Sequence, residues 1–218
     1  EETNKRKSNF YEYVKTKLNR DLTKDELKEM FIESNLESEI KKSIIEGLDK
    51  LEGEKSIEKF IQNIQPIINS DQLSLDSYIY CKQKGFKRLN QYVAYNINGE
   101  NIEIHLGAYD FRPLLRTYIK EYGKNAKEMF IKTYEDAIKD ALEKCKYILE
   151  CNPNLNGVMG VSFQVSKYKE LFLKNGMTVT NIPEKLAKEL FPGQNPEIIM
   201  KAYIGREELL NKTSGLSI

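Results

Sequence analysis

The chain has 218 residues, of which 40% are hydrophobic and 31% are charged, with 34 Lys and Arg residues against 33 Asp and Glu residues. The formal net charge of +1 argues against a dedicated nucleic-acid or membrane-surface protein, because such proteins usually carry a basic excess. Three cysteines and one histidine are too few for a disulfide framework or a His-rich metal site. We therefore expect no nucleic-acid partner and no bound metal.

The sequence also predicts no association with a membrane. It contains no run of about 18 apolar residues, which is the length needed to span a bilayer. Residues 1–8 lack the apolar stretch of a signal peptide, which favours a cytoplasmic location, with export after signal removal left open. The excess of Lys, Asn and Ile is typical of an AT-rich genome, and we expect a bacterial source.

Residues 1–75 are predicted to form a helical N-terminal region. Thr23 and Glu26 have the spacing of a capping box at a helix start. Apolar residues then recur at steps of three and four, which is typical of amphipathic helices. They fall in two groups, Leu36, Ile40, Ile44, Leu48 and Leu51, then Ile57, Phe60, Ile61, Ile64 and Ile68. Pro66 is expected to end or kink the second helix.

The apolar period changes toward two after residue 76, which predicts strands. Ser77–Lys82 is predicted to be a strand, and Asn98-Gly99 is predicted to be the turn of a hairpin. That turn would place Ile97 opposite Glu100, Val93 opposite Ile104 and Tyr92 opposite His105. One face would then be apolar, and the other would carry Tyr92, Ala94, Glu103 and His105.

Helices and further strands are predicted after Pro113. A short helix stops at Gly123, and a long amphipathic helix follows from Ala126 to Leu149, with Cys145 as a buried residue of its apolar stripe. The remaining elements are strands at Val158–Val165, Met177–Ile182 and Glu197–Ile204, separated by helices at Ser166–Asn175 and Pro183–Phe191. Residues 76–218 are thus predicted to be an α+β region with a mixed, mostly antiparallel sheet flanked by helices, continuous with the N-terminal helices.

Two motifs in this order resemble the GNAT superfamily of acyl-CoA-dependent N-acyltransferases. Residues 171–177 (LFLKNGM) are similar to the closing-helix run of that family, aliphatic–Tyr–x–Lys–x–Gly–Phe. Residues 120–125 (KEYGKN) stand where the family has its pyrophosphate turn, Gln/Arg-x-x-Gly-x-Gly/Ala. The resemblance covers about residues 76–204 and implies a GNAT-like fold that binds acetyl-CoA or another acyl-CoA.

By this resemblance the pyrophosphate would bind at the start of the long helix, where backbone amides and a positive helix dipole meet. The residues concerned are Gly123, Lys124, Asn125, Ala126 and Lys127. The alternative is that Gly123 only ends one helix before the next begins. Asn125 and Lys120 both depart from the family pattern.

The resemblance also implies a general base on a central strand and a general acid on the closing helix. Glu103 or His105 is the candidate base, and both could instead be ordinary residues on a solvent-facing sheet. Phe172 stands at the position where the family has the Tyr that acts as general acid, so Tyr168 is the candidate general acid in its place. Asp110 and Arg112 could orient a charged substrate or cap a helix.

The expected reaction moves an acyl group to a small-molecule or protein amine. The alternative is a non-catalytic binding or interaction module on a degenerate scaffold, and the oligomeric state stays open. Cys81 or Cys151 as a nucleophile is less favoured, because His105 is the single histidine that could activate a thiol.

Overall fold

The computed structural model describes residues 8–90, 92–106 and 118–212, without the side chains of residues 72 and 73. The chain divides into two compact units, Glu1–Gly85 and Phe86–Ile218. The sequence placed this division after residue 75. The difference arises because residues 77–82 belong to the last helix of the first unit.

The described part of the first unit is helical, as predicted. Its helices are α1 (Phe10–Leu18), α2 (Lys24–Ile32), α3 (Ser38–Asp49), α4 (Glu54–Asn63), α5 (Gln65–Ser70) and α6 (Gln72–Lys84). Their apolar faces share one core that includes Phe10, Phe31, Leu48, Ile61 and Ile79. The amphipathic spacing therefore identified the faces correctly.

Local signals placed two of the helix ends in this unit. The Thr23 hydroxyl accepts a hydrogen bond from the Glu26 amide at 3.1 Å, as a capping box requires. In a full capping box the Glu26 carboxylate would accept from the Thr23 amide. Here it instead accepts a hydrogen bond from the Arg20 guanidinium at 3.0 Å and forms an ion pair with it. Pro66 lies in the first turn of α5, where its missing N–H costs nothing, and α4 ends before it.

The predicted strand Ser77–Lys82 is wrong, because these residues lie within α6. Tyr and Ile favour strands, but their spacing here also suits a helix. Leu75, Tyr78 and Ile79 are spaced at i, i+3 and i+4 and are all buried. The Tyr78 hydroxyl donates to Glu29 at 2.5 Å. Tertiary packing on α2 therefore overrides the local strand preference.

The second unit is built on a six-stranded mixed sheet. Its elements are β1 (Lys87–Arg88), β2 (Val93–Asn98), β3 (Asn101–Leu106), α7 (Ala126–Cys151), β4 (Gly157–Ser162), α8 (Phe163–Lys167), α9 (Lys169–Lys174), β5 (Thr178–Asn181), α10 (Glu184–Leu190), β6 (Met200–Gly205) and α11 (Arg206–Asn211). The strand order is β1-β2-β3-β4-β6-β5. Neighbouring strands are antiparallel except β3 and β4, which are parallel. The predicted α+β class with a mostly antiparallel mixed sheet is confirmed.

The hairpin formed by β2 and β3 exists, but its predicted register is wrong by two residues. Ile97 lies opposite Ile102, and Val93 lies opposite Leu106. The turn residues are Gly99 and Glu100, and Gly99 has the positive φ of 59° that the first central position of a type II′ turn requires. A shift of two residues preserves the side-chain facing, so the predicted faces are correct within β2 and β3. Tyr92 is the exception, because it precedes β2 and packs against the same core as Val93.

Helix α7 packs its apolar stripe on one face of the sheet. The shared core includes Ile102, Ile104, Ile138, Val158 and Ile204. Cys145 is fully buried in it, as predicted, and burial raises the pKa of its thiol to about 12. Such a thiol is protonated at neutral pH and acts as a small apolar group.

Several predicted boundaries near the end of the chain shift. β4 stops at Ser162 because its hydroxyl accepts from the amides of Gln164 and Val165 and thereby caps α8. The helix predicted at Ser166–Asn175 is two short helices separated at Tyr168. The last strand begins at Met200, after a 3₁₀ turn at Pro196–Ile198.

Candidate functional site at the open end of the central strands

The parallel strands β3 and β4 pair along only half of their length. Three pairs are formed, namely Asn101 with Gly157, Ile102 with Val158 and Glu103 with Met159. β4 continues to pair with β6 through Ser162, and β3 continues to pair with β2 through Leu106. Strand pairing therefore stops between residues 104–106 of β3 and 160–162 of β4, although a Cβ on Gly160 would still lie 3.4 Å from the Ile104 carbonyl oxygen, and we call this unpaired region the opening.

The opposite end of this strand pair is held tightly. The Asn156 amide donates to the Glu100 carbonyl oxygen at 2.6 Å, and the Asn156 side chain donates to the Glu100 carboxylate at 2.6 Å. The Arg206 amide donates to the Asn156 carbonyl oxygen at 2.7 Å. The opening is thus confined to the carboxyl ends of β3 and β4.

His105 lies on the β3 half of the opening, on the polar face of the sheet. Its ring stacks on Phe86 with centroids 3.6 Å apart and an interplanar angle of 10°. Its Nε2 lies 2.6 Å from Asn96 Oδ1. Because a carboxamide oxygen only accepts, Nε2 carries the proton, and the lone pair of the neutral ring is on Nδ1.

Burial lowers the pKa of His105 from its ordinary value of 6.5, and the nearby Glu103 carboxylate acts in the opposite direction. The net effect is a ring that is neutral near pH 7 and has a fixed tautomer. Such a ring can accept a proton through Nδ1, which is the property that a general base needs.

Glu103 lies two residues before His105 and therefore on the same face of β3. Its carboxylate accepts a hydrogen bond from the Asn98 side chain at 2.7 Å. Glu103 is also the last β3 residue that pairs with β4. The two candidate bases are thus neighbours, and His105 is the one that lies within the opening.

The predicted phosphate turn lies at the start of α7, and most of it faces solvent. Gly123 has a positive φ of 54°, and no atom lies within 4 Å of the position that a Cβ would take. Lys124, Asn125 and Lys127 are exposed, and the Asn125 side chain does not cap the helix. Ala126 differs, because it is buried and its amide donates to the Gly123 carbonyl oxygen.

Charge at this turn is weakly positive. Lys120, Lys124 and Lys127 form no ion pair with any described residue, while Glu121 and Glu128 lie close in sequence. The positive end of the α7 dipole adds to the lysines. An open glycine and three lysines suit an anionic ligand such as a pyrophosphate, although the 3₁₀ turn Gly123–Asn125 runs directly into α7 and already bonds the Ala126 amide.

An aromatic cluster follows the phosphate turn along α7. Tyr134 stacks on Phe130 at 6.2 Å and contacts Tyr168 at 4.9 Å between ring centroids. Tyr118 reaches Phe130 at 6.3 Å, and its hydroxyl lies 2.8 Å from Thr133 Oγ1. The sequence reasoning did not assign these residues, and the central pair of the cluster, Phe130 and Tyr134, is buried.

Tyr168 is half-buried at the break between α8 and α9. It was expected one turn before Phe172 on a common helix, but the break removes that relation. Phe172 is fully buried in the core, where it has no access to a ligand. The Tyr168 ring thus packs at the edge of the aromatic cluster, against Phe130 and Tyr134.

The candidate catalytic residues lie on opposite faces of the sheet. Ile102 and Ile104 point into the α7 core, so Glu103 and His105 point away from it. Tyr168 packs against that same core on the α7 side. The opening lies along the strands that separate these two faces. Asp110 and Arg112 lie outside the described residues.

Within residues 8–90, 92–106 and 118–212, no helix combines the length and the hydropathy that crossing a bilayer demands. In the same ranges, no group of three or more His, Cys, Asp or Glu residues is arranged to hold a metal ion.

Comparisons with known proteins identify no relative. No protein-family model matches the chain, and neither the curated proteins nor the solved structures gave a match.

Proposed function

We propose that the second unit is an acyl-CoA-dependent N-acyltransferase that moves an acyl group to a small-molecule or protein amine. The observation that carries this proposal is the opening between β3 and β4, whose pairing stops at Glu103 and Met159. The long helix that follows β3 begins at an exposed glycine turn, and His105 lies on the open half of β3. The order of strands and helices agrees with the GNAT resemblance of the sequence.

The acyl-CoA substrate would lie on the α7 side of the sheet. Its pyrophosphate would bind at Gly123, Lys124 and Asn125, with Lys127 as a further cation. The Ala126 amide is already bonded, so Ala126 supports the turn from within the core. The rest of the acyl-CoA would extend past Tyr118 and Tyr168, the partly exposed members of the aromatic cluster, toward the opening.

The acceptor amine would approach from the polar face, where His105 lies. The amine nitrogen forms a bond to the thioester carbonyl carbon, and its proton moves to Nδ1 of His105. The carbon–sulfur bond then breaks, and the CoA thiolate leaves with the bonding electron pair. Tyr168 is the candidate donor of the proton that this thiolate takes up. Glu103 stays the alternative base.

A cytoplasmic location goes with this proposal, because acyl-CoA thioesters are made and used in that compartment. The amine itself is not specified by the geometry beyond its need to reach His105.

Binding tests the proposal directly. We expect acetyl-CoA and free CoA to bind with a dissociation constant in the range of roughly 1 μM to 1 mM, measured by calorimetry and thermal shift. Gly123→Glu should weaken binding at least about tenfold, because it places a carboxylate where the phosphates would lie. The absence of heat and thermal shift with wild-type protein would end this proposal.

Gly193→Glu is the matched control for that experiment. Gly193 also has a positive φ, 85°, and no atom lies within 4 Å of its Cβ position. The two substitutions thus add the same charge and a similar backbone strain at two exposed turns. Equal loss of CoA affinity in both variants would contradict a specific role of the α7 turn.

One observation favours a second function. Phe172 is buried, and it occupies the position at which the GNAT family has the Tyr that acts as general acid. A unit without that acid could bind acyl-CoA or another partner without catalysis. Such a module would show acetyl-CoA binding, or a pulled-down partner, with no amine acylation over a panel of amines. Product formation that depends on His105 would exclude it.

A further inference from the structure

Gln164 lies two residues beyond β4, next to the opening, and is almost completely buried. Its exposed fraction is 7%, and that of its partner Tyr134 is 1%. The Tyr134 hydroxyl donates to Gln164 Oε1 at 2.7 Å. This bond fixes the carboxamide, because Oε1 is engaged and the two N–H groups of Nε2 must point elsewhere.

The Nε2 donors of Gln164 have no acceptor among the described residues. Gln164 as a whole keeps an exposed fraction of 7%, so it is not fully enclosed. A largely buried donor without an acceptor is unfavourable for the folded protein. This arrangement therefore suits an acceptor atom that arrives with a ligand.

The surroundings of Gln164 favour a neutral acceptor. Tyr134 and Tyr168 lie at its side of the sheet, and Phe130 stacks on Tyr134. Tyr134 is two turns along α7 from Ala126, which corresponds to about 12 Å at 1.5 Å per residue. A ligand with phosphates at the α7 turn and a carbonyl on a flexible arm can reach both places.

We propose that Gln164 Nε2 binds the thioester carbonyl oxygen of the acyl-CoA substrate and stabilises the oxyanion formed during transfer. This inference rests on the proposed function. When the amine attacks, the carbon–oxygen π electrons move to the oxygen, where Nε2–H donates. They return when the carbon–sulfur bond breaks, and the amine proton goes to His105. Tyr134 is a positioning residue that keeps the carboxamide oriented.

Two CoA analogues that cannot transfer an acyl group test this assignment. In the first, a methylene group replaces the sulfur of acetyl-CoA, which leaves a ketone carbonyl in the same place. The second is the same molecule without the oxygen. We expect wild-type protein to bind the ketone about tenfold more tightly by calorimetry, which corresponds to about 1.4 kcal/mol.

Gln164→Met keeps the length of the side chain but removes the donor, and should bind the two analogues equally. It should also lower kcat roughly 10²–10³-fold with little change in the affinity for free CoA. Tyr134→Phe is the second variant, in case the first does not fold. It keeps Gln164 Nε2 but removes the hydrogen bond that orients the carboxamide. The ratio of the affinities for the ketone and the analogue without oxygen should therefore fall only in part.

The outcomes separate the two proposals. If wild-type protein binds neither analogue nor CoA, the proposed function fails. If it binds both analogues equally, or if Gln164→Met keeps the preference for the ketone, the role of Gln164 is overturned while acyl-CoA binding stands. A loss of thermal stability without a change in the ketone preference would mean that the Tyr134–Gln164 bond serves only the fold.

Discussion

The two edges of β4 differ along their length. On one edge, all six residues pair with β6, from Gly157 opposite Gly205 to Ser162 opposite Met200. On the other edge, pairing with β3 ends after three residues. A strand can therefore keep half of one edge unpaired when its other edge is fully paired. The opening is a feature of the whole sheet, since β3 is likewise fully paired with β2.

Two glycines show how differently the two halves of β4 are packed. A Cβ on Gly157, at the paired end, would lie 2.4 Å from the Ile204 carbonyl oxygen. A Cβ on Gly160, where pairing with β3 has stopped, would meet the Ile104 side chain at 3.1 Å. At the paired end the added Cβ would thus clash with backbone, whereas at the unpaired end its nearest contact is a side chain, with the Ile104 carbonyl oxygen next at 3.4 Å.

The largest predicted effect breaks the paired end. Gly157→Ala should lower the free energy of unfolding by about 3 kcal/mol, because the backbone of β6 must move away. Chemical denaturation of the full chain measures this change. Gly205→Ala is the control, since Gly205 lies directly opposite, has a φ of −71° and has open space around it.

Gly205→Ala should change the free energy of unfolding by less than about 1 kcal/mol. A similar cost for both substitutions would show that the paired end is not close-packed at Gly157. The comparison between the two halves of β4 would then lose its structural basis.

A smaller effect concerns His105 and the open half of β3. The folded protein lowers the pKa of His105, so the unfolded chain takes up the proton at a higher pH. The unfolded state then binds more protons below the ordinary value of 6.5, and stability should fall as the pH decreases through that value toward the folded pKa. We expect the effect to be smaller than that of Gly157→Ala.

His105→Gln should remove this part of the pH dependence. Denaturation midpoints of both proteins, followed between about pH 7.5 and pH 5, provide the measurement. Identical pH profiles would mean that His105 has the same pKa in both states, and the assignment of a neutral, oriented base would have to be abandoned.

Local patterns in the sequence predicted much of the fold. The three- and four-residue spacing identified α7 and the N-terminal helices, and alternation placed Glu103 and His105 on the polar face of β3. These features depend on residues that are close in the chain. The predicted register of the hairpin was wrong because Gly99 can occupy either central position of a two-residue turn, and only tertiary packing selects one of them.

The rest of the candidate site depends on contacts between distant residues. Tyr134 and Gln164 are thirty positions apart, and nothing near either residue indicates their hydrogen bond. The end of pairing between β3 and β4 likewise has no local signal, because both strands continue on their other edges. The break at Tyr168 was missed since residues 166–175 have acceptable helix propensity throughout.

Hydrogen exchange with and without CoA is the measurement that tests the central claim most directly. The account predicts slower exchange in three segments when CoA is added, namely 104–106, 160–162 and 123–127, with little change in β5. Acetyl-CoA should extend the protection to residues around Gln164. An exchange pattern that CoA leaves unchanged, or that changes only outside these segments, would contradict the claim that the opening receives acyl-CoA.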